Sequence, residues 1–142
     1  MTDKLLASKE GGVGTVTFNN PAKHNAMSLE MWEATVHHLE EYAKDPDVRV
    51  VVLTGAGGKA FVSGADISKF ENERSSKEGV ERYNAAVERG YATVYNFPKP
   101  TIAMVRGYCI GGGPRPRGLR RHAHLLAELA LRRAGRQAWA WL

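Results

Sequence analysis

Apolar and polar residues alternate toward Phe18 in Val13–Phe18, which follows Leu5–Lys9 across the turn Glu10-Gly11-Gly12. That two-residue period predicts a β-hairpin of Leu5–Lys9 with Val13–Phe18, Val16 and Phe18 sharing one face. Asn19-Asn20-Pro21 ends the second strand. From Ser28, a good N-cap, the period changes. Leu29, Trp32, Val36, Leu39 and Ala43 recur at three- and four-residue spacing and predict an amphipathic helix ending near Lys44. Val48–Thr54, entered through Asp45-Pro46-Asp47, is a near-continuous apolar run of the kind buried on both faces of a sheet. A second helix is predicted over Ser75–Val94, with Val80, Tyr83, Val87, Tyr91 and Val94 forming its core stripe. Phe97-Pro98-Lys99-Pro100 must stop that helix, and Thr101–Val105 forms another short buried strand before an Arg106-Gly107 turn. Strand, helix, strand, loop, helix, strand is an α/β arrangement.

The 142 residues, 43% of them hydrophobic, suit one domain with a modest core. Val50–Leu53 is too short an apolar run to span a bilayer, and the start Met1-Thr2-Asp3-Lys4 has no apolar signal region, so a soluble, cytoplasmic protein is expected. The single cysteine, Cys109, excludes an internal disulfide framework. The net charge of +5 invites a nucleic-acid or membrane partner until it is located. Residues 1–113 carry 13 Lys and Arg against 14 Asp and Glu, a balance of −1, whereas residues 114–142 carry 7 Arg against Glu128 alone, a balance of +6. The basic character therefore belongs to the tail, and no nucleic-acid or membrane partner is expected for the body.

Two stretches carry candidate chemistry: Lys59–Ile67, reading KAFVSGADI, and Gly107–Gly113, reading GYCIGGG. Small residues leave backbone amides unshielded, and glycine takes the positive φ angles that turn an N–H outward, so each loop can aim a donor at one developing oxyanion. Gly55–Ala60 also fits the dinucleotide pattern GxGxxA, but a short Phe61-Val62-Ser63-Gly64 stretch follows instead of a helix; Gly58-Lys59 is followed by alanine, which fails the P-loop pattern. His37 and His38 are adjacent, and neighbouring side chains diverge by about 100° on a helix. They are expected to be surface histidines, with no metal site.

The order of motifs resembles the amino-terminal half of the enoyl-CoA hydratase/isomerase (crotonase) family. It runs from Asn20-Pro21 through Asn25-Ala26-Met27, a helix, a strand closing at Leu53-Thr54-Gly55 and KAFVSGADI, to Lys99-Pro100-Thr101-Ile102-Ala103 and GYCIGGG. The resemblance covers residues 1–113. It implies a crotonase-like core of repeated ββα units winding as a spiral, truncated after the second oxyanion-hole loop. It places the two catalytic amides at Ala65 and Gly112, aimed at the thioester carbonyl of an acyl-CoA substrate, where polarising the oxygen stabilises an enolate. It assigns Lys23, Asn25, Ala26, Ser63, Ala65, Asp66 and Ile67 to the coenzyme A moiety, with no cofactor beyond the CoA that the substrate carries. Lys23 reads equally well as a phosphate contact or a solvated turn residue, Asn25 also reads as a helix-entry cap, and Asp66 as a loop-tying residue. A homotrimer or homohexamer is implied, built through carboxyl-terminal helices that this chain does not match. The carboxylates that hydratases use follow the glycine run. Arg115 stands at about the first of these positions, and Glu128 falls in no matching motif.

Residues 114–142 form a separate Arg/Leu/Ala-rich tail: 19 of the 29 are one of those three types. The tail reads as out-of-frame or non-native sequence from a GC-rich gene, since a one-base shift with suitable codons turns Pro114–Arg121 into an apolar run ending in Cys-Asp, as in crotonases. Two other readings remain open. One is an inactive fragment; the other is a basic-tail module in which Arg120, Arg121, Arg132, Arg133 and Arg136 flank Leu125, Leu126 and Leu129 for nucleic acid or anionic membrane. The nucleotide sequence across Gly113, read in all three frames, is expected to continue the family pattern in an alternative frame; codons incompatible with that frame would remove the idea.

Overall fold

Gly11 and Gly12 both take positive φ, 55° and 85°, the geometry that a two-residue hairpin turn requires. Strands β1 (Leu5–Glu10) and β2 (Val13–Phe18) therefore pair antiparallel, with Leu5 opposite Phe18 and Glu10 opposite Val13. In this computed structural model residues 2–69 and 76–109 are described. After the hairpin, α1 (Leu29–Lys44) carries the chain back so that β3 (Val50–Gly55) lies parallel to β2, Val13 opposite Val50 and Phe18 opposite Gly55. Helix α2 (Lys77–Tyr95) does the same for β5 (Thr101–Met104), which pairs parallel with β3. Parallel neighbours need such helical crossovers. The sheet order is β1-β2-β3-β5, and the short strands β4 (Ala60–Val62) and β6 (Tyr108–Cys109) form a second, parallel pair. Two consecutive ββα units followed by a third strand pair make up the described chain.

The expected stripes carry the core. Val16, Phe18, Trp32, Val36, Leu39, Val51, Leu53, Tyr83, Val87, Tyr91 and Val94 are all buried, joined by Met27, Met31 and Phe61. Phe18 meets Phe61 edge-on at 5.5 Å between ring centroids, linking the first sheet to the second. Several expectations need correction. Ala60–Val62 is a strand inside the stretch expected to be a loop, and Tyr108–Cys109 is a strand inside the second motif. Periodicity cannot signal strands of three and two residues. Val50 and Val52 are only half-buried, so β3 is not covered equally on its two faces. Ser28 makes no capping bond to the helix backbone, whereas the Ser76 hydroxyl accepts from the Gly79 N–H at 3.0 Å and caps α2. Among the described residues no helix is long and apolar enough to cross a membrane.

The helices cross at Gly90, where a Cβ would stand 2.6 Å from Cε3 of Trp32. Arg82–Glu33 and Arg89–Glu40, both 2.7 Å, flank this contact on exposed surface and add little. Helix propensity alone would favour Gly90→Ala by about 1 kcal/mol. Overpacking costs about 1–3 kcal/mol, so the variant is expected to unfold at lower urea concentration than the parent. A more stable variant would show that the Trp32 contact does not limit the approach.

Candidate functional site

The segment between β2 and α1 is shaped by two residues in the left-handed region, His24 (φ 51°) and Asn25 (φ 57°), after a 310 turn at Pro21–Lys23. Asparagine tolerates that conformation better than most residues. The turn buries the Asn25 side chain completely and aims it across the chain. Its Oδ1 accepts from the Asn20 N–H at 2.9 Å, and its Nδ2 donates to the carbonyls of Ala56 (3.0 Å) and Ala60 (2.7 Å). Gly55 leaves room for this clasp: a Cβ there would lie 2.3 Å from the Ala60 carbonyl oxygen and 2.8 Å from Asn25 Nδ2. Ala26 is buried, and its carbonyl accepts from Asn20 Nδ2 at 3.2 Å. Asn25 is thus a tie between loops and not a helix cap.

The chain leaving β4 is stitched to the same segment. The Met27 N–H donates to the Gly64 carbonyl at 2.7 Å, and the Asp66 N–H donates to the Met27 carbonyl at 2.9 Å, an isolated parallel bridge between Met27 and Ala65. Planarity then fixes the amide between them. In a trans peptide C=O and N–H point in opposite directions, so a Gly64 carbonyl turned toward Met27 turns the Ala65 N–H away from it. Among the described residues this N–H makes no hydrogen bond. Gly64 sits at φ 105°, a conformation that side chains resist. The Ser63 hydroxyl adds a bond to the Lys23 carbonyl at 3.2 Å.

Asp66 is buried and accepts from the Ser68 N–H (3.1 Å), the Ser68 hydroxyl (2.7 Å) and Lys23 Nζ (3.1 Å to Oδ2), while Lys23 also touches Ser68. Burial pushes the Asp66 carboxyl up, but the hydrogen bonds from Ser68 and Lys23 outweigh it and hold the group below the usual carboxylate range. This is the loop-tying role expected for Asp66. Lys23 keeps 45% of its side chain exposed while paired. Ile67, at 76%, stands in solvent at the start of a 310 turn.

Strands β4 and β6 run in the same direction, with Ala60 opposite Tyr108 and Val62 opposite Cys109. The described parts of the two motifs, Ala60–Val62 and Tyr108–Cys109, therefore lie side by side in one small sheet, about 4.8 Å apart. Gly107 makes this possible: it has φ 70°, and a Cβ would fall 2.1 Å from the Lys59 carbonyl, which accepts from the Tyr108 N–H at 2.9 Å. Gly112 lies outside the described residues, as do Arg115, Glu128 and the tail. Burial pushes the Cys109 thiol up, which disfavours a thiolate. Gly55–Lys59 leads into β4 and not a helix, so neither dinucleotide nor P-loop geometry is present there. His37 is exposed and His38 half-buried, and both rings approach Glu41.

The clasp and the paired strands occur in a chain whose residues 8–115 match the family profile described as Enoyl-CoA hydratase/isomerase. A short-chain-enoyl-CoA hydratase of Clostridium acetobutylicum is 35% identical over 111 residues, 78% of this chain and 42% of that one. A mitochondrial Delta(3,5)-Delta(2,4)-dienoyl-CoA isomerase of Mus musculus is 35% identical over 117 residues, 76% of this chain and 36% of that one. The crystal structure of an enoyl-CoA hydratase/carnithine racemase from Magnetospirillum magneticum superposes with a TM-score of 0.76 at 33% identity, covering 91% of this chain and 45% of that one. The chain spans about two-fifths of the length of the curated relatives it matches. The inactive-fragment and basic-tail readings find no support in these comparisons.

Asp66→Asn tests the tie. A carboxyl whose folded pKa is depressed stabilises the fold above its unfolded value of about 3.9 and loses that contribution as pH falls through the folded value. The variant is expected to be less stable by about 1–2 kcal/mol at pH 7, with the gap closing below about pH 3.9 in urea titrations. A gap independent of pH would assign the loss to packing.

Proposed function

This chain belongs to the enoyl-CoA hydratase/isomerase family, and from that premise we propose that it polarises the thioester carbonyl of an acyl-CoA through the Ala65 N–H. The observation that carries the reading is the Met27 bridge, which leaves that amide unpaired among the described residues and directed away from the clasp. The second donor is the N–H of Gly112. It stands three positions after Cys109, a reach of at most about 10 Å, and Cys109 is itself paired beside Val62. Two preorganised donors on one carbonyl oxygen stabilise an enolate without reorganising at the moment of reaction.

The coenzyme lies along the backbone of Lys23–Met27 and Ser63–Ile67 in this proposal, with CoA carried by the substrate. The Lys23 ammonium, partly exposed beside Asp66, offers a point charge to a phosphate. Asn25 and Asp66 act through the loops they tie, since their polar atoms are already engaged. Reactions that share the enolate, among them hydration and double-bond migration, differ in their acid and base groups, and no carboxylate of the described site is free for that work. The family profile ends at residue 115, beside the change of composition at Pro114, which supports treating 114–142 as a tail apart from the family domain. A cytoplasmic location and a homotrimer or homohexamer complete the proposal.

The test is vibrational. An unreactive saturated acyl-CoA with a 13C-labelled carbonyl is expected to show its C=O stretch at lower frequency when bound, and Ala65→Pro, which lacks the N–H, is expected to reduce that shift. In a reacting member of the family the loss of one donor costs about 100–1000-fold in rate. A bound carbonyl with its solution frequency, or a shift left undiminished by Ala65→Pro, would contradict the proposal.

A further inference from the structure

We propose that His37, His38 and Glu41 on α1 form a binding site for a divalent first-row transition ion of the Zn2+ type. Each offers one ligand atom, and the three atoms lie within 4.8 Å of one another. Glu41 makes the convergence possible. It follows His37 by four residues and His38 by three, so it stands over both on the helix surface although the histidines themselves diverge. Its Oε2 is 3.5 Å from His37 Nε2 and 3.1 Å from His38 Nδ1. A tetrahedral ion with bonds of about 2.0–2.1 Å separates its ligands by about 3.3 Å, so two edges of that tetrahedron already exist.

The support is rigid. Thr35, Val36, Leu39 and Tyr42 are buried on the same stretch of α1 and fix the helix against the core. His38, at 12% exposure, has little freedom to turn, whereas His37 (53%) and Glu41 (55%) leave a fourth position open to water. The rings are not stacked: their planes meet at 58° with centroids 5.1 Å apart. Two imidazoles and a carboxylate suit zinc, cobalt, nickel or copper better than magnesium or calcium. An isolated surface carboxylate accepting two hydrogen bonds is the plain alternative, and the acyl-CoA reading plays no part in the choice.

Titration of the full, chelator-treated chain with Co2+ separates the two. One equivalent is expected to produce visible d–d absorption of a low-symmetry site, and Zn2+ is expected to abolish it by displacement. His37→Ala, His38→Ala and Glu41→Ala should each weaken Zn2+ binding at least tenfold, a cost on the order of that for losing a ligand's supporting partner, with helicity kept because alanine favours the helix. His122→Ala/His124→Ala, which removes the tail imidazoles, should leave the affinity unchanged. Absence of Zn2+ binding up to about 1 mM, binding that survives His37→Ala/His38→Ala, or binding lost with the tail histidines would overturn the assignment.

Discussion

Two backbone hydrogen bonds, from Met27 to Gly64 and from Asp66 to Met27, decide where the Ala65 amide points. Because a peptide unit is planar, engaging the carbonyl on one side commits the N–H to the other. An outward-facing donor is thus a consequence of pairing its neighbours and needs no side chain of its own. The cost is a turn with unusual backbone angles at His24 and Asn25, offset by Asn25, whose amide ties the turn to Ala56 and Ala60, and by the Lys23–Asp66–Ser68 cluster, which closes the far end.

The wider fold serves this geometry. Helical crossovers force β2, β3 and β5 to run parallel, and the second ββα unit and the third strand pair each add one strand to the main sheet and one to the small second sheet. The second sheet sets Ala60–Val62 of the first motif beside Tyr108–Cys109 of the second. Phe18 against Phe61 locks the sheets together, and Trp32 against Gly90 sets how closely the helices approach. A spiral that repeats its units brings together segments separated by more than forty residues without a long-range loop.

Much of this was legible in the sequence. The three- and four-residue spacing of Leu29, Trp32, Val36 and Leu39 and of Tyr83, Val87, Tyr91 and Val94 located both helices, because a buried stripe on a helix leaves a periodic record. The small-residue run around Ala65 marked a loop with unshielded amides, but the Met27 bridge that orients the Ala65 N–H was not legible, since its partner is distant in sequence. Strands β4 and β6 were not legible either, since two or three residues carry no period and their burial is set by partners distant in sequence. The clasp role of Asn25 was also hidden: its signal was an asparagine in a turn, which reads equally as a cap. The approach of His37 and His38 to Glu41 was not legible from their adjacency, because Glu41 lies one turn further along the helix.

The most direct measurement is the amide resonance of Ala65 in a 15N-labelled chain as a saturated acyl-CoA is added. The account predicts a free amide that moves downfield on binding, farther than its neighbours in 63–67, as a charge-polarised carbonyl oxygen accepts its hydrogen bond. Free coenzyme A without an acyl group should leave it nearly unmoved. An Ala65 amide that is already hydrogen-bonded in the free chain, or that stays still while the surrounding loop resonances shift, would contradict the account.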